Sequence, residues 1–278
     1  MIFMKTWFIT GTSSGLGRVL TEKLLEQGNR VFATVRKADA LKDLKERFGN
    51  NLVVEILDVT DTEAIRQVVS KAFTEFERID VIVNNAGYAL FCAAEEANDD
   101  QIRLQIDTNI VGSIQVIRAA LPFLRAQGYG RILQLSSAGG QTTYPNFSFY
   151  HTTKWAVEGF CETLAQEIAP FNIGVTIVEP GAHKTSFGTA MATAPTMHVY
   201  DQTPAGDVRR AVYNGTFPIN GDVNKTVQAM IDSVEIEPAP RRLALGLDAY
   251  RDMRASLISR LEALDAQKDL ALASEIDN

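Results

Sequence analysis

The chain has 278 residues, of which 46% are hydrophobic and 22% are charged, a composition typical of a globular enzyme domain. Its formal net charge of −7 comes without any concentrated basic stretch, so neither nucleic acid nor an anionic membrane is an expected partner. Cys92 and Cys161 form no CxxC pair, which indicates a reducing compartment and two small buried side chains. Because His151, His183 and His198 lack metal-ligand spacing, no metal site is predicted.

The first predicted element is a buried strand over Lys5–Thr10. The apolar run around it lacks the basic start and the longer apolar core of a signal peptide, and it ends directly in a glycine-rich turn. No apolar stretch reaches the roughly 20 residues that are needed to cross a bilayer. These features predict a soluble, cytoplasmic protein.

Short apolar segments alternate with longer helical patterns along the rest of the chain. The predicted strands are Lys5–Thr10, Arg30–Val35, Leu52–Leu57, Asp80–Asn84, Arg131–Ser136, Gly174–Glu179 and Arg242–Gly246. Strands that are buried on both faces and alternate with helices form a parallel sheet covered on both sides. The expected fold class is therefore α/β, a Rossmann-type doubly wound parallel sheet of about seven strands with helices on both faces. Because no linker composition interrupts the chain, residues 1–278 are expected to form one domain.

Two segments depart from this alternation. Residues 183–221 are rich in Thr, Ala, Gly and Pro and show only weak helical periodicity, which favours a substrate lid or a disordered loop. Residues 248–278 return to a helical pattern. They are expected to form one or two extra helices that pack after the final strand.

A glycine-rich turn, Thr10–Gly17, joins the first strand to the following helix. Glycine allows a tight turn and a close approach of the backbone to a pyrophosphate, and the helix offers free N–H groups at its positive end. Three spaced glycines alone equally fit a simple strand-to-helix turn, but the flanking strand, helix and hydroxyl groups favour dinucleotide binding. The predicted cofactor contacts in this turn are Gly11, Ser13, Ser14, Gly15, Leu16 and Gly17.

The end of the second predicted strand carries the cations Arg36 and Lys37 and no carboxylate. An NAD site usually has an acidic residue here for the ribose 2′-hydroxyl, whereas NADP requires positive charge for the 2′-phosphate. The sequence therefore favours NADP(H), with NAD(H) as the alternative if the two cations are only a solvated pair. Asp58, followed by Val59, is expected either to contact the adenine amino group or to cap the helix that begins near Asp61.

Tyr150 and Lys154 lie four positions apart in a predicted helix, so their side chains share one face. A tyrosine with the ordinary pKa of about 10 is a poor base at neutral pH, and a nearby ammonium would lower that pKa. A lowered pKa would make Tyr150 a useful general acid or base. Taken alone, the pair also fits one core ring and one surface cation.

Taken in chain order, the motifs resemble those of the short-chain dehydrogenase/reductase family over roughly residues 5–185. The matching segments are TGxxxGxG at Thr10–Gly17, NNAG at Asn84–Gly87, the helix asparagine at Asn109, the serine at Ser137, YxxxK at Tyr150–Lys154 and PGxxxT at Pro180–Thr185. The resemblance implies hydride transfer between an NAD(P)(H) cofactor and a carbonyl or alcohol. It adds the cofactor contacts Val59, Asn85, Ala86, Gly87, Tyr150, Lys154, Pro180, Gly181 and Thr185 to those predicted above.

The resemblance also implies a role for each catalytic residue. Tyr150 would donate the proton to the carbonyl oxygen, and Ser137 would hydrogen-bond that oxygen. Lys154 would lower the pKa of Tyr150 and hold the nicotinamide ribose. Asn109 would anchor a water that links Lys154 to solvent. Ser136 is the poorer candidate for the active-site serine, and its hydroxyl is expected to be satisfied by nearby backbone.

The segments that would form the substrate pocket, Gly139–Phe149 and Ser186–Gly221, are rich in large apolar side chains. These are Tyr144, Phe147, Phe149, Phe187, Met191, Met197, Tyr200, Tyr213 and Phe217. They favour an apolar or aromatic ketone or alcohol, unless several of them only pack the lid onto the body. The pattern looks most like the branch of steroid and retinol dehydrogenases and bacterial ketone reductases. His183, where the family usually has a small aliphatic residue, would either contact the substrate or sit at the mouth of the lid.

A carbonyl reductase is therefore the leading hypothesis. The alternatives are an NAD-dependent, steroid-like alcohol dehydrogenase and a non-catalytic nucleotide-binding sensor on the same fold. The helical patterns at Asp99–Gln127 and Phe149–Phe171 correspond to helices that family members bury against a partner subunit, which implies a homodimer or a homotetramer.

Overall fold

The computed structural model describes residues 4–276, so the ends of the expected domain, residues 1–3 and 277–278, lie outside it. The strands are β1 (Thr6–Ile9), β2 (Arg30–Val35), β3 (Leu52–Ile56), β4 (Val81–Asn84), β5 (Leu90–Phe91), β6 (Gly130–Leu135), β7 (Ile173–Pro180), β8 (Ala192–Thr193) and β9 (Arg242–Leu245). The helices are α1 (Gly15–Glu26), α2 (Lys42–Phe48), α3 (Thr62–Phe76), α4 (Asp99–Ile106), α5 (Ser113–Gln127), α6 (Ser148–Ile168), α7 (Ser186–Thr189), α8 (Pro204–Tyr213), α9 (Val223–Ser233), α10 (Leu247–Asp265) and α11 (Lys268–Leu272).

Seven of these strands form one parallel sheet in the order β3-β2-β1-β4-β6-β7-β9. Each of the seven predicted strands is found, and its ends agree with the prediction to within one residue. The strand order reverses between β1 and β4, and a crevice at such a switch point is where open α/β sheets bind ligands. The predicted Rossmann-type α/β fold is confirmed.

Alternating side chains of the strands supply two apolar layers, one on each face of the sheet. On one face, Phe8 and Phe32 pack with α3, α5 and α6, and their rings stack with centroids 5.6 Å apart. On the other face, Trp7 and Ile9 pack with α1, α2 and α9. This double cover explains why the strand sequences are continuously apolar rather than alternating.

The predicted helical pattern over Asp99–Gln127 is interrupted. Between α4 and α5 the chain forms a π-helical turn at Asp107–Gly112. Gly112 lies so close to β3's following loop that a Cβ there would stand 2.6 Å from the carbonyl oxygen of Val59. Wider turns of this kind often occur at functional sites, and this one carries Asn109.

The 183–221 segment has more secondary structure than its sequence predicts. It contains α7, α8 and the strand β8, which pairs in parallel with β5. Helix α8 buries Arg209, whose Nη2 lies 2.7 Å from both carboxylate oxygens of Glu96. The fully buried residues of α8 are Gly206 and Arg209, so its attachment depends on an ion pair with a distant residue, which hydrophobic periodicity does not predict.

The region after β9 forms two helices, in agreement with the prediction, but only the first part of α10 buries apolar side chains against the body. Ala249 and Met253 are buried against Ala138. Further along, Leu257 and Leu264 are 49% and 67% exposed, so the predicted packing does not extend along the whole region. No helix in residues 4–276 is both long enough and apolar enough to span a membrane.

Candidate active site

The glycine-rich turn and the NNAG segment lock onto each other at the carboxyl ends of β1 and β4. The Thr10 hydroxyl accepts hydrogen bonds from the backbone N–H groups of Asn85 and Ala86, both at 3.0 Å. The Asn85 amide donates to the carbonyl oxygens of Thr10 and Gly11 at 2.9 Å. Gly11 has a φ of +69°, and a Cβ there would lie 2.7 Å from the Ala86 Cα, so no other residue fits this turn without displacement.

The first turn of α1 presents the features of an anion site. Ser14 is the N-cap, yet its side chain makes no capping hydrogen bond, and the first turn holds no acidic residue. Ser13 and Ser14 are exposed, while Gly15 and Leu16 are partly buried. A Cβ added to Gly15 would meet nothing nearer than Thr185, at 3.9 Å. The turn therefore leaves room for a pyrophosphate beside free N–H groups, and a dinucleotide fits it.

The predicted ribose-phosphate corner lies beyond β2. Arg36 and Lys37 are both exposed there. Asp58 accepts hydrogen bonds from the backbone N–H and the hydroxyl of Thr60, at 2.9 Å and 2.8 Å. These bonds and the charge of Arg36 hold the pKa of Asp58 below its usual value, despite partial burial. Since Asp61 caps α3 with its own carboxylate, the capping role considered for Asp58 is wrong.

Both polar atoms of the Asn109 side chain have hydrogen-bond partners within the protein. Its Oδ1 accepts from the backbone N–H of Tyr88 at 3.1 Å, and its Nδ2 donates to the Tyr88 carbonyl at 2.9 Å and to the Thr153 hydroxyl at 3.0 Å. Gly87 packs directly against it, because a Cβ on Gly87 would lie 3.1 Å from Oδ1. Asn109 thus connects the end of the NNAG segment to α6.

The structure brings Ser137, Tyr150 and Lys154 together at the end of β6. Tyr150 and Lys154 are both buried and lie one turn apart on α6, with the Lys154 Nζ 5.5 Å from the centre of the tyrosine ring. The ammonium group donates a hydrogen bond to the Leu135 carbonyl at 2.8 Å. The Ser137 hydroxyl accepts from the Gly139 N–H at 3.1 Å, which fixes the side chain at the start of a tight turn.

Burial dominates the ionisation of these groups. It raises the pKa of Tyr150 to about 12, against the opposite effect of a hydrogen bond with Ser137. This direction is contrary to the expected lowering of the tyrosine pKa by Lys154, because the desolvation of the phenolate outweighs other effects. Burial also lowers the pKa of Lys154 to about 8, while the charge of Glu158 raises it. At neutral pH the site therefore holds a protonated phenol beside an ammonium.

The PGxxxT segment faces the glycine-rich turn across the crevice. Gly181 packs against the carboxylate of Asp248 so closely that a Cβ would lie 2.4 Å from its oxygens. The same carboxylate accepts from the Ala182 N–H at 2.8 Å. Pro180 ends β7, and Thr185 lies opposite Gly15, so the PGxxxT segment and the glycine-rich turn are neighbours.

His183 is the first residue of the 183–221 segment and is held in place by hydrogen bonds of its ring. Its Nδ1 lies 2.9 Å from the Gly181 carbonyl and its Nε2 2.6 Å from the Thr226 hydroxyl. Its backbone also forms a parallel bridge with Gly221. Both ring nitrogens are thus engaged within the protein, so His183 sits at the mouth of the segment and is not arranged to contact a substrate.

An aromatic group surrounds Tyr150. Its ring centre lies 5.7 Å from that of Phe187 and 6.1 Å from that of Phe147. Phe91 continues the group at 4.9 Å from Phe147, and its place in the group is not predictable from the sequence because β5 is only two residues long. Tyr144, by contrast, donates its hydroxyl hydrogen bond to Asp252 of α10 at 2.5 Å.

A buried charged cluster behind the site was also missed. The Ser136 hydroxyl bonds to the carboxylate of Glu158 and not to nearby backbone as expected. Glu158 in turn pairs with Arg242 of β9, 84 residues away in sequence. Such a long-range contact leaves no local pattern. Within residues 4–276, no cluster of three or more histidine, cysteine or acidic side chains is placed to hold a metal ion.

The fold and this serine, tyrosine and lysine cluster beside a glycine-rich turn define an oxidoreductase of the Rossmann class. Residues 5–195 match the family model described as short chain dehydrogenase. The chain belongs to the short-chain dehydrogenase/reductase family, a family of NAD(P)(H)-dependent oxidoreductases.

Full-length relatives support this assignment. The chain is 37% identical to the oxidoreductase BOA17 of Botryotinia fuckeliana over 273 residues, 97% of this chain and 99% of the relative. A short-chain dehydrogenase from Streptomyces avermitilis has a similar structure, with a TM-score of 0.91 and 35% identity over 99% of this chain and 100% of that chain. A short-chain dehydrogenase from Burkholderia cenocepacia in complex with NADP gives a TM-score of 0.74 and 25% identity, covering 96% and 98% of the two chains.

Proposed function

We propose that this protein is an NADP(H)-dependent carbonyl reductase acting on apolar or aromatic ketones or aldehydes. The observation that carries the proposal is the buried, protonated Tyr150 beside Ser137 and Lys154, with the aromatic rings of Phe147 and Phe187 next to it. A phenol that keeps its proton at neutral pH is suited to donate it to a carbonyl oxygen.

The cleft would hold the cofactor through groups that are already arranged. The first-turn N–H groups of α1 would bind the pyrophosphate, and Arg36 and Lys37 would bind a 2′-phosphate. The NNAG and PGxxxT segments would flank the nicotinamide. When bound, the cofactor supplies the hydride. The NADP bound by the Burkholderia cenocepacia relative supports this choice over NAD(H).

The side chains would then handle the proton and the developing charge. Tyr150 would transfer its hydroxyl proton to the carbonyl oxygen as the hydride reaches carbon, leaving a phenolate and an alcohol. Ser137 would donate a hydrogen bond to the same oxygen, where negative charge develops. The Lys154 ammonium would stabilise the phenolate. A proton from solvent, passed through a water anchored near Asn109, would then restore the phenol.

The substrate class follows from the rings around Tyr150. Phe147 and Phe187 lie within about 6 Å of it, ring centre to ring centre, and offer flat apolar surfaces to a substrate. We also propose a homodimer or homotetramer, because Leu104 on α4 and Trp155 on α6 leave 52% and 38% of their surface exposed.

The test combines cofactor binding with a single substitution. NADPH is expected to bind more tightly than NADH, as measured by fluorescence, because two cations face the 2′-phosphate position. Tyr150→Phe is expected to lower turnover of an aromatic ketone by at least about 100-fold, the scale of general acid catalysis, with NADPH affinity unchanged.

Tighter binding of NADH would redirect the proposal to an NAD-dependent alcohol dehydrogenase. Turnover that survives Tyr150→Phe would remove the assigned acid and the proposed function with it.

A further inference from the structure

One face of α6 contacts three consecutive residues at the end of β6. Lys154 donates to the carbonyl of Leu135, Glu158 accepts from the hydroxyl of Ser136, and Tyr150 lies beside Ser137. Tyr150, Lys154 and Glu158 are spaced four residues apart and therefore share this face. The proposed function uses the first two of these helix residues and leaves the third unexplained.

Glu158 is 2% exposed and is held from two directions. Its Oε2 pairs with the Nη1 of Arg242 at 2.6 Å and also accepts from the side-chain amide of Gln141. Its Oε1 fills the space beside Gly140, where any Cβ would collide with it. The carboxylate is therefore fixed in place between β9 and the loop that follows β6.

The surroundings of Glu158 determine its charge. In the described part of the chain, the ionisable groups facing it are Lys154, Cys161 and Glu162 of α6, Glu179 of β7 and Arg242 of β9. Burial and the charge of Glu158 raise the pKa of Glu179 to about 7, so that Glu179 takes up a proton near neutral pH. Burial raises the pKa of the Cys161 thiol to about 12, which keeps it neutral.

We propose that Glu158 is a positioning residue for the reaction, which keeps Lys154 an ammonium through its charge and fixes the strand end that carries Ser137 through its bond to Ser136. This inference rests on the proposed function, because it assigns Lys154 and Ser137 the roles described there. Arg242 balances the charge of Glu158, and protonation of Glu179 limits the competition for that guanidinium.

The test is the pH profile of kcat/KM for ketone reduction by Glu158→Gln. The amide keeps the size of the side chain but removes the negative charge one turn from Lys154, so the ammonium should lose its proton at lower pH. We expect the basic limb to move down by about one pH unit, which lowers kcat/KM by about fivefold at pH 8 and little at pH 6. Arg242 retains Glu162 as a partner in this variant, and Glu179 ionises more readily beside it once the charge of Glu158 is removed, so the fold is expected to persist.

Glu162→Gln is the matched control, since it removes a carboxylate from the same guanidinium one turn further from Lys154. Its pH profile should coincide with that of the wild type. An unshifted limb in Glu158→Gln, or an equal shift in both variants, would overturn the proposal.

A second variant tests the positioning part independently. Ser136→Ala keeps the charge of Glu158 but removes its bond to the strand end, so kcat should fall by about tenfold with the basic limb unmoved. Wild-type kcat in Ser136→Ala would overturn the proposal even if Glu158→Gln did not fold. Tyr150→Phe, measured in parallel, distinguishes failure of the proposed function from failure of this inference. If Tyr150→Phe keeps its turnover, the proposed function is wrong. If Tyr150→Phe loses its turnover but the basic limb of Glu158→Gln is unshifted, only this inference is wrong.

Discussion

In the proposed function, single aromatic side chains determine which substrates the site accepts. Phe187 lies beside Tyr150 but belongs to the 183–221 segment, so its ring can contact a substrate without taking part in proton transfer. Tyr150 itself is fixed by its helix and by burial, and Phe147 packs against both Tyr150 and His151. In the proposed function, substrate preference and catalysis therefore depend on different residues.

Phe187→Ala is expected to raise KM for an aromatic ketone by about tenfold, the value of one aromatic contact, with kcat nearly unchanged. The measurement is steady-state kinetics with an aromatic ketone and with a small aliphatic one, whose KM should hardly change. Phe171→Ala is a matched control, because Phe171 is similarly exposed, 41% against 39%, and lies beyond the far end of α6. Equal effects of the two substitutions would remove Phe187 from the proposed pocket.

The elements differ in how they are held to the body. The sheet and its six covering helices share apolar cores, whereas α8 is attached by the buried ion pair of Arg209 with Glu96. The same carboxylate accepts from the backbone N–H groups of Ala93 and Met197, so it joins three parts of the chain. Loss of the ion pair between Arg209 and Glu96 should therefore destabilise the 183–221 segment more than the sheet.

Arg209→Met is expected to cost about 3–5 kcal/mol of stability locally, because it leaves the carboxylate of Glu96 buried without its partner. Limited proteolysis should then cleave within residues 183–221, and urea unfolding should show the loss. The neighbouring Arg210 pairs with Asp207 at the surface, so Arg210→Met should change stability by less than about 1 kcal/mol. Similar behaviour of the two variants would contradict the assigned role of the buried pair.

How far the sequence predicts these elements depends on what stabilises them. The strands and the Tyr150 and Lys154 pair are recognisable because burial and helical spacing leave local patterns. Helix α8 and the partnership of Glu158 with Arg242 are not, because each depends on a charge supplied by a distant part of the chain. The sequence also predicts the wrong direction for the pKa shift of Tyr150, because burial depends on the folded surroundings of the residue.

The whole molecule is expected to lose stability in acid through His151. Burial lowers the pKa of this imidazole to about 4, and its side chain is 5% exposed. A base with a lowered folded pKa contributes stability above its unfolded pKa of about 6.5, and this contribution is lost as pH falls towards about 4. The loss should be on the order of 3 kcal/mol.

Urea unfolding of the wild type and of His151→Gln between pH 7 and pH 4 measures this effect. The difference in unfolding free energy between them should shrink or reverse as pH falls, because only the wild type carries the titrating imidazole. Comparing the two proteins cancels the opposite contribution of Glu179, whose raised pKa favours the folded state as pH falls below about 7. A constant difference over this range would contradict the prediction.

The bridge between His183 and Gly221 has a consequence for engineering. It brings the two ends of the 183–221 segment side by side at the carboxyl end of the sheet. Hydrogen bonds from the His183 ring to Gly181 and Thr226 hold these ends in place. A segment whose two ends already lie together can be exchanged for another with little additional loss of loop-closure entropy. Under the proposed function, a relative's sequence could therefore replace the chain between residues 183 and 221 and change the substrate, while the sheet, Ser137, Tyr150 and Lys154 stay intact.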